Sequence, residues 1–461
     1  MRYFRILART TALAVLLLAR TTMAEAQAAA DPAQTYRVAA NRLIEAALAD
    51  SAAYERLAEL TDRFGHRFSG SESLERAIDW ILEEMRTDGL ANVRGEPVTV
   101  PRWVRGEESA TLIEPRELAM PMLGLGGSIS TPPEGITAEV LVVESYEELE
   151  RRAAEARGKI VLFDAPFTSY GETVQYRSGG AIAAARAGAV ASLIRSVASY
   201  SMRTPHTGNM RYEDGVPRIP HAALSVEDAA MLHRMQDRGE RVVVRLEMNA
   251  QTMPPAQSRN VIAEIVGSEF PDEVIVMGGH IDSWDVGTGA MDDAGGCVAA
   301  WEALRLIHTL GLRPKRTIRV VMWTNEENGL GGGNAYRDAH RNELDKHVLA
   351  IESDNGVFRP TGFSFTGSDA AHAILEGVGQ LLEPIGAASM TRGGGGADIG
   401  PIMALGVPGM SPIVDGTRYF WYHHSEADTV DKLDPREVAQ VVAGLAVIAY
   451  VVADLPQPLP R

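Results

Sequence analysis

Four runs, NVIAEIVG (260–267), EVIVMGG (273–279), TIRVVMW (317–323) and HVLAIES (347–353), are apolar, rich in β-branched residues and without alternation. Strands that read this way are buried on both faces, as in a sheet covered by helices on either side. Helical patterns at 294–310 and 333–340 fall between them. This alternation predicts an α/β fold, an open and mostly parallel sheet flanked by helices.

The rest of the 461 residues does not share this rhythm, and the length itself exceeds one core. From about Asp50 to Gly89 the pattern is helical, with Leu74, Ala77, Ile78, Ile81, Leu82 and Met85 at three- and four-residue steps. A strand-like EPVTV follows. Between 105 and 250 the chain turns to short β-type runs (GKIVLF, VASLIRS, RVVVRLEM), Gly/Pro turns and two helical stretches, 181–187 and 226–235. It returns to the first rhythm through the Pro-rich link TMPPAQSRN. The expected division is one unit formed by 27–104 and 251–461, with a smaller α/β unit, 105–250, inserted into it.

Residues 1–26 have the pattern of an export signal. Arg2, Arg5 and Arg9 precede the apolar stretch Ala12–Ala19, and Ala24, Ala26 and Ala28 offer A-x-A cleavage sites, although Arg20 interrupts the pattern. The expected destination is a periplasm or the medium. That stretch, and a second at Val441–Ala453, fall short of the roughly 20 residues that span a bilayer. The second reads as a packed core helix. Cys297 is the only cysteine, so no intramolecular disulfide can form, and its apolar neighbours make it a buried side chain. A formal charge of −17 excludes a basic nucleic-acid-binding face.

In open α/β sheets ligands bind beyond the carboxyl ends of the strands. There the sequence places GGHID, TNEE and ESDNG, and a fourth polar cluster, WYHHSEADT, follows RYF near the chain end. The stretch HIDSWDVGTGAMDD (280–293) alone holds one histidine and four aspartates. Such acids repel one another unless protons or cations compensate them. With no cysteine ligands, His and carboxylate donors suit Zn²⁺, Mn²⁺ or Co²⁺. Their number suggests two ions roughly 3.5–4 Å apart, the arrangement that polarises a carbonyl and activates water. One aspartate would bridge them, and each ion would take a histidine and another carboxylate.

GGHIDSWDVGTGAMDDAGG, WTNEENG, ESDNG and HHSEADT resemble the motifs of the M28 family of zinc exopeptidases. RGEESATLIEPR, TPPEGITAEVLVV, RGKIVLF, ASLIRSVAS, LGLRPKRT and YVVAD extend the likeness over almost the whole mature chain. The resemblance implies a zinc-exopeptidase (phosphorylase/hydrolase-like) fold, a protease-associated domain at 105–250, two Zn²⁺ per chain and a homodimer. It also implies roles: His280 on one metal, Asp292 bridging, Glu327 and Asp354 giving one carboxylate to each ion, and His424 completing the second. Glu326 would be the general base, and Asp282 would accept the other N–H of His280. The Asp292–Asp293 peptide is cis in relatives. Neighbouring glutamates in an extended segment point in different directions, which leaves Glu326 free to move a proton while Glu327 ligates.

Either histidine of WYHHSEADT could ligate. The pattern H-S/T-x-x-D/E-T selects His424, leaving His423 as a contact to the substrate carboxylate or a structural residue. Thr391–Gly400, with the run Gly393–Gly396, is a pocket flap or merely a loop. Asn325 and the glycine-rich NGLGGGN depart from the pattern outside the ligands. The expected reaction is hydrolysis of small unblocked peptides, most often dipeptides. An aminopeptidase on longer chains is the nearest alternative, followed by a non-catalytic binding protein and a cyclising enzyme.

Overall fold

The computed structural model describes residues 32–461, so the expected export signal lies outside the described residues. Three helices open the chain: α1 (Pro32–Ala49), α2 (Ala52–Phe64) and α3 (Glu72–Thr87). The helical pattern read across 50–89 is thus two helices, parted at Gly65 with φ 65°. Ser71 caps α3 by accepting the Leu74 N–H, and the six periodic apolar residues face the core. Strand β1 (Ala91–Val104) leads into a separate sheet made of β2 (Glu108–Glu114), β3 (Leu118–Met120), β4 (Met122–Gly124), β5 (Ile136–Val143), β6 (Ile160–Phe163), β7 (Ala191–Arg195), β8 (His221–Leu224) and β9 (Val243–Met248). Its order is β3-β2-β9-β5-β6-β7-β8-β4. Helices α4 (Tyr170–Arg186) and α5 (Val226–Asp237) belong to this stretch, and apolar cores line both faces of the sheet.

The chain then forms β10 (Gln251–Ile265), β11 (Phe270–His280), α6 (Gly295–Thr309), β12 (Arg316–Trp323), α7 (Gly331–Ala339), β13 (His347–Glu352), β14 (Pro360–Thr366), β15 (Ser389–Arg392), β16 (Gly409–Val414) and α8 (Pro435–Asp454). With β1 these strands make the sheet β1-β10-β12-β11-β13-β16-β14-β15. Its centre, β12-β11-β13-β16, is parallel, as the buried runs predict. The margins depart from that expectation. NVIAEIVG pairs antiparallel on both sides, and β16 pairs antiparallel with β14, so the sheet is mixed.

TMPPAQSRN is not a loose link: it is the outer half of β10, paired with β1. The pairing shifts register between Val100 and Arg102, beside Pro254 and Pro255 on β10. Such an irregularity accommodates residues that cannot donate to the ladder. Helix α8 is long and apolar enough to cross a membrane, yet 83% of its most apolar window is buried. It packs on α1 and α6 as a core helix.

Candidate active site

The four central strands run parallel, so their carboxyl ends share one edge, and each delivers part of the site there. His280 is the last residue of β11, Glu326 and Glu327 lie in the turn after β12, and Asp354 stands two residues beyond β13. The histidine pair follows β16 through a short helix, Tyr419–Tyr422. The Asp292–Asp293 peptide, between β11 and α6, is cis.

Asp292 is the central group. Its Oδ1 lies 3.1 Å from His280 Nε2, and its Oδ2 lies 3.3 Å from His424 Nε2. His280 Nε2 is also 3.3 Å from Asp354, and His424 Nε2 is 3.0 Å from Glu327. The structure therefore brings all five residues read as ligands into two half-sites sharing one carboxylate. His423 approaches Asp292 less closely, at 3.6 Å. Its ring stacks on His424 with 3.5 Å between centroids, and its buried Nδ1 has no hydrogen-bond partner among the described residues.

Asp282 departs from expectation in one respect. The Nδ1–H of His280 goes to the Asp282 main-chain oxygen at 2.9 Å, not to its carboxylate. The carboxylate, fully buried, accepts the backbone N–H groups of Glu326 (3.0 Å) and Glu327 (3.3 Å) and the Ser69 hydroxyl (3.1 Å). Two adjacent N–H groups turned inward need an acceptor, and this one suits them.

Electrostatically the site holds more acid than its histidines can balance. Burial, then neighbouring carboxylates, push Asp293 and Asp398 well above the usual range. Burial likewise raises Glu326, with Asp354 and Glu327 adding to it and His280 opposing. Burial disfavours charge on Asp292 too, but the flanking His280 and His424 rings hold its pKa well below normal. For His424, burial is outweighed by Glu327 and Asp292, which carry it to about 10. Metal cations compete for the same ring lone pairs. Buried Glu327 Oε1 has no hydrogen-bond partner among the described residues. An acceptor-rich set with an orphaned carboxylate oxygen and two imidazoles fits divalent metal ions.

Residues 260–449 match peptidase family M28. Carboxypeptidase Q of Homo sapiens is 52% identical over 413 residues, 90% of this chain and 88% of that protein. The chain belongs to peptidase family M28. Carboxypeptidase Q of Xenopus laevis is 50% identical over 430 residues, 93% of this chain and 92% of that one. The crystal structure of a peptidase M28 precursor from Shewanella amazonensis SB2B matches with TM-score 0.89 and 38% identity, over 93% of this chain and 100% of that one. A zinc aminopeptidase from Bacillus subtilis shares the fold, with TM-score 0.64, 19% identity and coverage of 86% and 93%. The protein is a metallo-exopeptidase, and its substrates are peptides.

The M28 site opens into a cleft of about 670 Å³. Residues that the sequence left unassigned line it. Arg177 and Tyr170 come from α4 in the inserted stretch, and Tyr419 and Phe420 from the turn before the histidines. Arg177 is the one Lys or Arg side chain lining the cleft among the described residues. Its Nη2 donates to the Tyr170 hydroxyl at 2.7 Å, while its Nε has no partner. A Cβ on Gly208, at φ 140°, would overlap this guanidinium. Burial, then Asp292 and Asp354, keep the Tyr419 phenol protonated and so able to donate.

Support behind the site was also unassigned. Buried Arg67 donates to the carbonyls of Ile281, Thr288 and Gly289, holding the aspartate-rich loop. Asp428 accepts the N–H groups of Met291 (2.7 Å) and Asp292 (3.2 Å). Within the Gly393–Gly396 run Gly393 is exposed and Gly394 buried, and a Cβ on Gly396 would overlap the Glu352 carboxylate. For Asp428 the signal was present in HSEADT. For Arg177 and Arg67 there was none, since nothing local in sequence marks them.

Proposed function

We propose that the protein is a two-zinc dipeptidase of carboxypeptidase type, hydrolysing small peptides with a free C-terminus. The observation that carries this reading is Arg177, the one guanidinium lining a cleft that also presents the carboxylates of Asp292, Glu326, Glu327 and Asp354. A free α-carboxylate is its natural counterpart, since charge-assisted hydrogen bonds are the stronger kind. The name of the carboxypeptidase Q relatives supports the same polarity. A cleft of this size suits a short peptide.

In this reading His280, Asp292 and Asp354 hold one ion, and His424, Asp292 and Glu327 hold the other. When bound, the ions supply positive charge that polarises the scissile carbonyl and acidifies water. Glu326 takes the proton of the attacking water and delivers it to the departing amine. Asp282 keeps the Glu326–Glu327 backbone in place. Tyr419 O–H donates to the oxygen that gains charge as the carbonyl is attacked. Arg177 orients the substrate by its carboxylate, with His423 forming the adjacent wall. The N-terminal pattern supports export to a periplasm or the medium.

The test is metal content paired with hydrolysis of a free dipeptide and its C-terminal amide. The expected result is two zinc equivalents per chain, activity lost on chelation, and strong preference for the free acid. Equal cleavage of the amide would turn the reading to an aminopeptidase. A metal-free active protein would end it.

A further inference from the structure

The two halves of the site are braced by different parts of the chain. In the two-ion reading the Nε2 lone pair of His280, on the side of Asp292 and Asp354, goes to a metal ion, so the ring hydrogen is on Nδ1 and goes to the Asp282 carbonyl in its own loop. In the same reading His424 turns its Nε2 lone pair to the ion held with Asp292 and Glu327, which leaves its hydrogen on Nδ1. Here the acceptor is the Thr207 carbonyl, at 3.3 Å, from the inserted stretch. Arg177 Nη1 lies 3.4 Å from the same nitrogen but has only hydrogens to offer.

The same short segment grips the histidine backbone. Thr207 N–H donates to the His424 carbonyl at 2.9 Å, and His206 Nδ1–H donates to the His423 carbonyl at 2.6 Å. Both residues are buried. The Thr207 hydroxyl is itself held, accepting from Arg105 at 3.2 Å and donating to the Gly124 carbonyl at 2.9 Å.

We propose that His206 and Thr207 are positioning residues of the metal centre, setting the tautomer and seat of His424. Affinity for the ion on the His424 side then depends on these two residues, while affinity on the His280 side, whose ring is braced from its own loop, does not. This rests on the two-ion reading above. Partners of this kind change metal affinity by about 10- to 100-fold when removed.

The experiment equilibrates the full chain in zinc buffers of decreasing free metal, counts bound zinc, and records the absorption of the Co²⁺-substituted protein. His206→Ala is expected to lose one equivalent at free zinc about 10- to 100-fold above the wild-type value. The other equivalent stays at its wild-type concentration, and one component of the cobalt spectrum shifts. His206→Asn, whose amide N–H falls near the position of Nδ1, is expected to recover the weaker site. His206→Gln, whose amide falls near Nε2, is expected to behave like alanine and serves if alanine does not fold. Unchanged affinity at both sites, equal weakening of both, or no difference between Asn and Gln overturns the proposal. A wild-type protein that binds one equivalent at most overturns the two-ion reading itself, and this proposal with it.

Discussion

The Asp282 carboxylate accepts the backbone N–H of Glu326 at 3.0 Å, across 44 residues of sequence. Through that bond a fully buried group sets where the glutamate pair stands. Asp282→Ala would leave the Glu326 and Glu327 N–H groups without their acceptor, at about 1–3 kcal/mol for each buried orphan. The expected outcome is a lower chemical-denaturation midpoint and a kcat reduced about 10- to 100-fold, with KM little changed.

Glu326→Gln keeps the shape and removes the proton acceptor. Metal content and thermal midpoint are expected to stay at wild-type values while kcat falls about 10²- to 10⁴-fold. A variant that keeps its kcat would take the base role from Glu326.

Arg177→Met removes the cation of the cleft. A hydrogen bond to a charged group contributes about 1.5–3 kcal/mol, so kcat/KM for a free dipeptide is expected to fall about 10- to 100-fold. The C-terminal amide should be cleaved as by wild type. Steady-state kinetics on the two substrates reads the difference. Gly208→Ala, which crowds the same guanidinium, is expected to move the ratio in the same direction.

His347 lies away from the cleft, buried, with Nδ1–H donating to the Glu343 carbonyl (3.0 Å) and Nε2 accepting the Tyr336 hydroxyl (2.9 Å). Burial is the main cause that lowers its pKa from 6.5 to about 4. The folded pKa is below the unfolded one, so the unfolded chain binds the proton first as pH falls. Stability is therefore full above about pH 6.5 and declines as pH drops toward 4, by roughly 3 kcal/mol from this group. Urea denaturation across pH 7 to 4 should show a shallower decline in His347→Gln.

The central sheet and the crowding of histidines and carboxylates at its edge were legible in the sequence because their signals are local. Non-alternating β-branched runs mark strands covered on both faces, and HIDSWDVGTGAMDD shows its charge crowding directly. The antiparallel setting of NVIAEIVG was not legible, because burial on both faces looks the same for either strand direction. The Pro-rich stretch misled for a related reason: Pro254 and Pro255 argue against a ladder, but an irregular edge pairing accommodates them.

By itself the sequence determined the composition of the site: which histidines and carboxylates stand at strand ends, crowded enough to need compensation. Only the tertiary structure decided who surrounds them. Arg177 reaches the cleft, and Thr207 meets His424, because the chain between 105 and 250 folds back over the sheet edge. Contacts made across 217 and 247 residues leave no local pattern, since they depend on where two separately folded surfaces meet. The identity of Asp282 was likewise visible, but the choice of its backbone oxygen for His280 and its carboxylate for the glutamate pair was not. Hydrogen-bond direction is set by the three-dimensional placement of donors, and that is known only once the loops have packed.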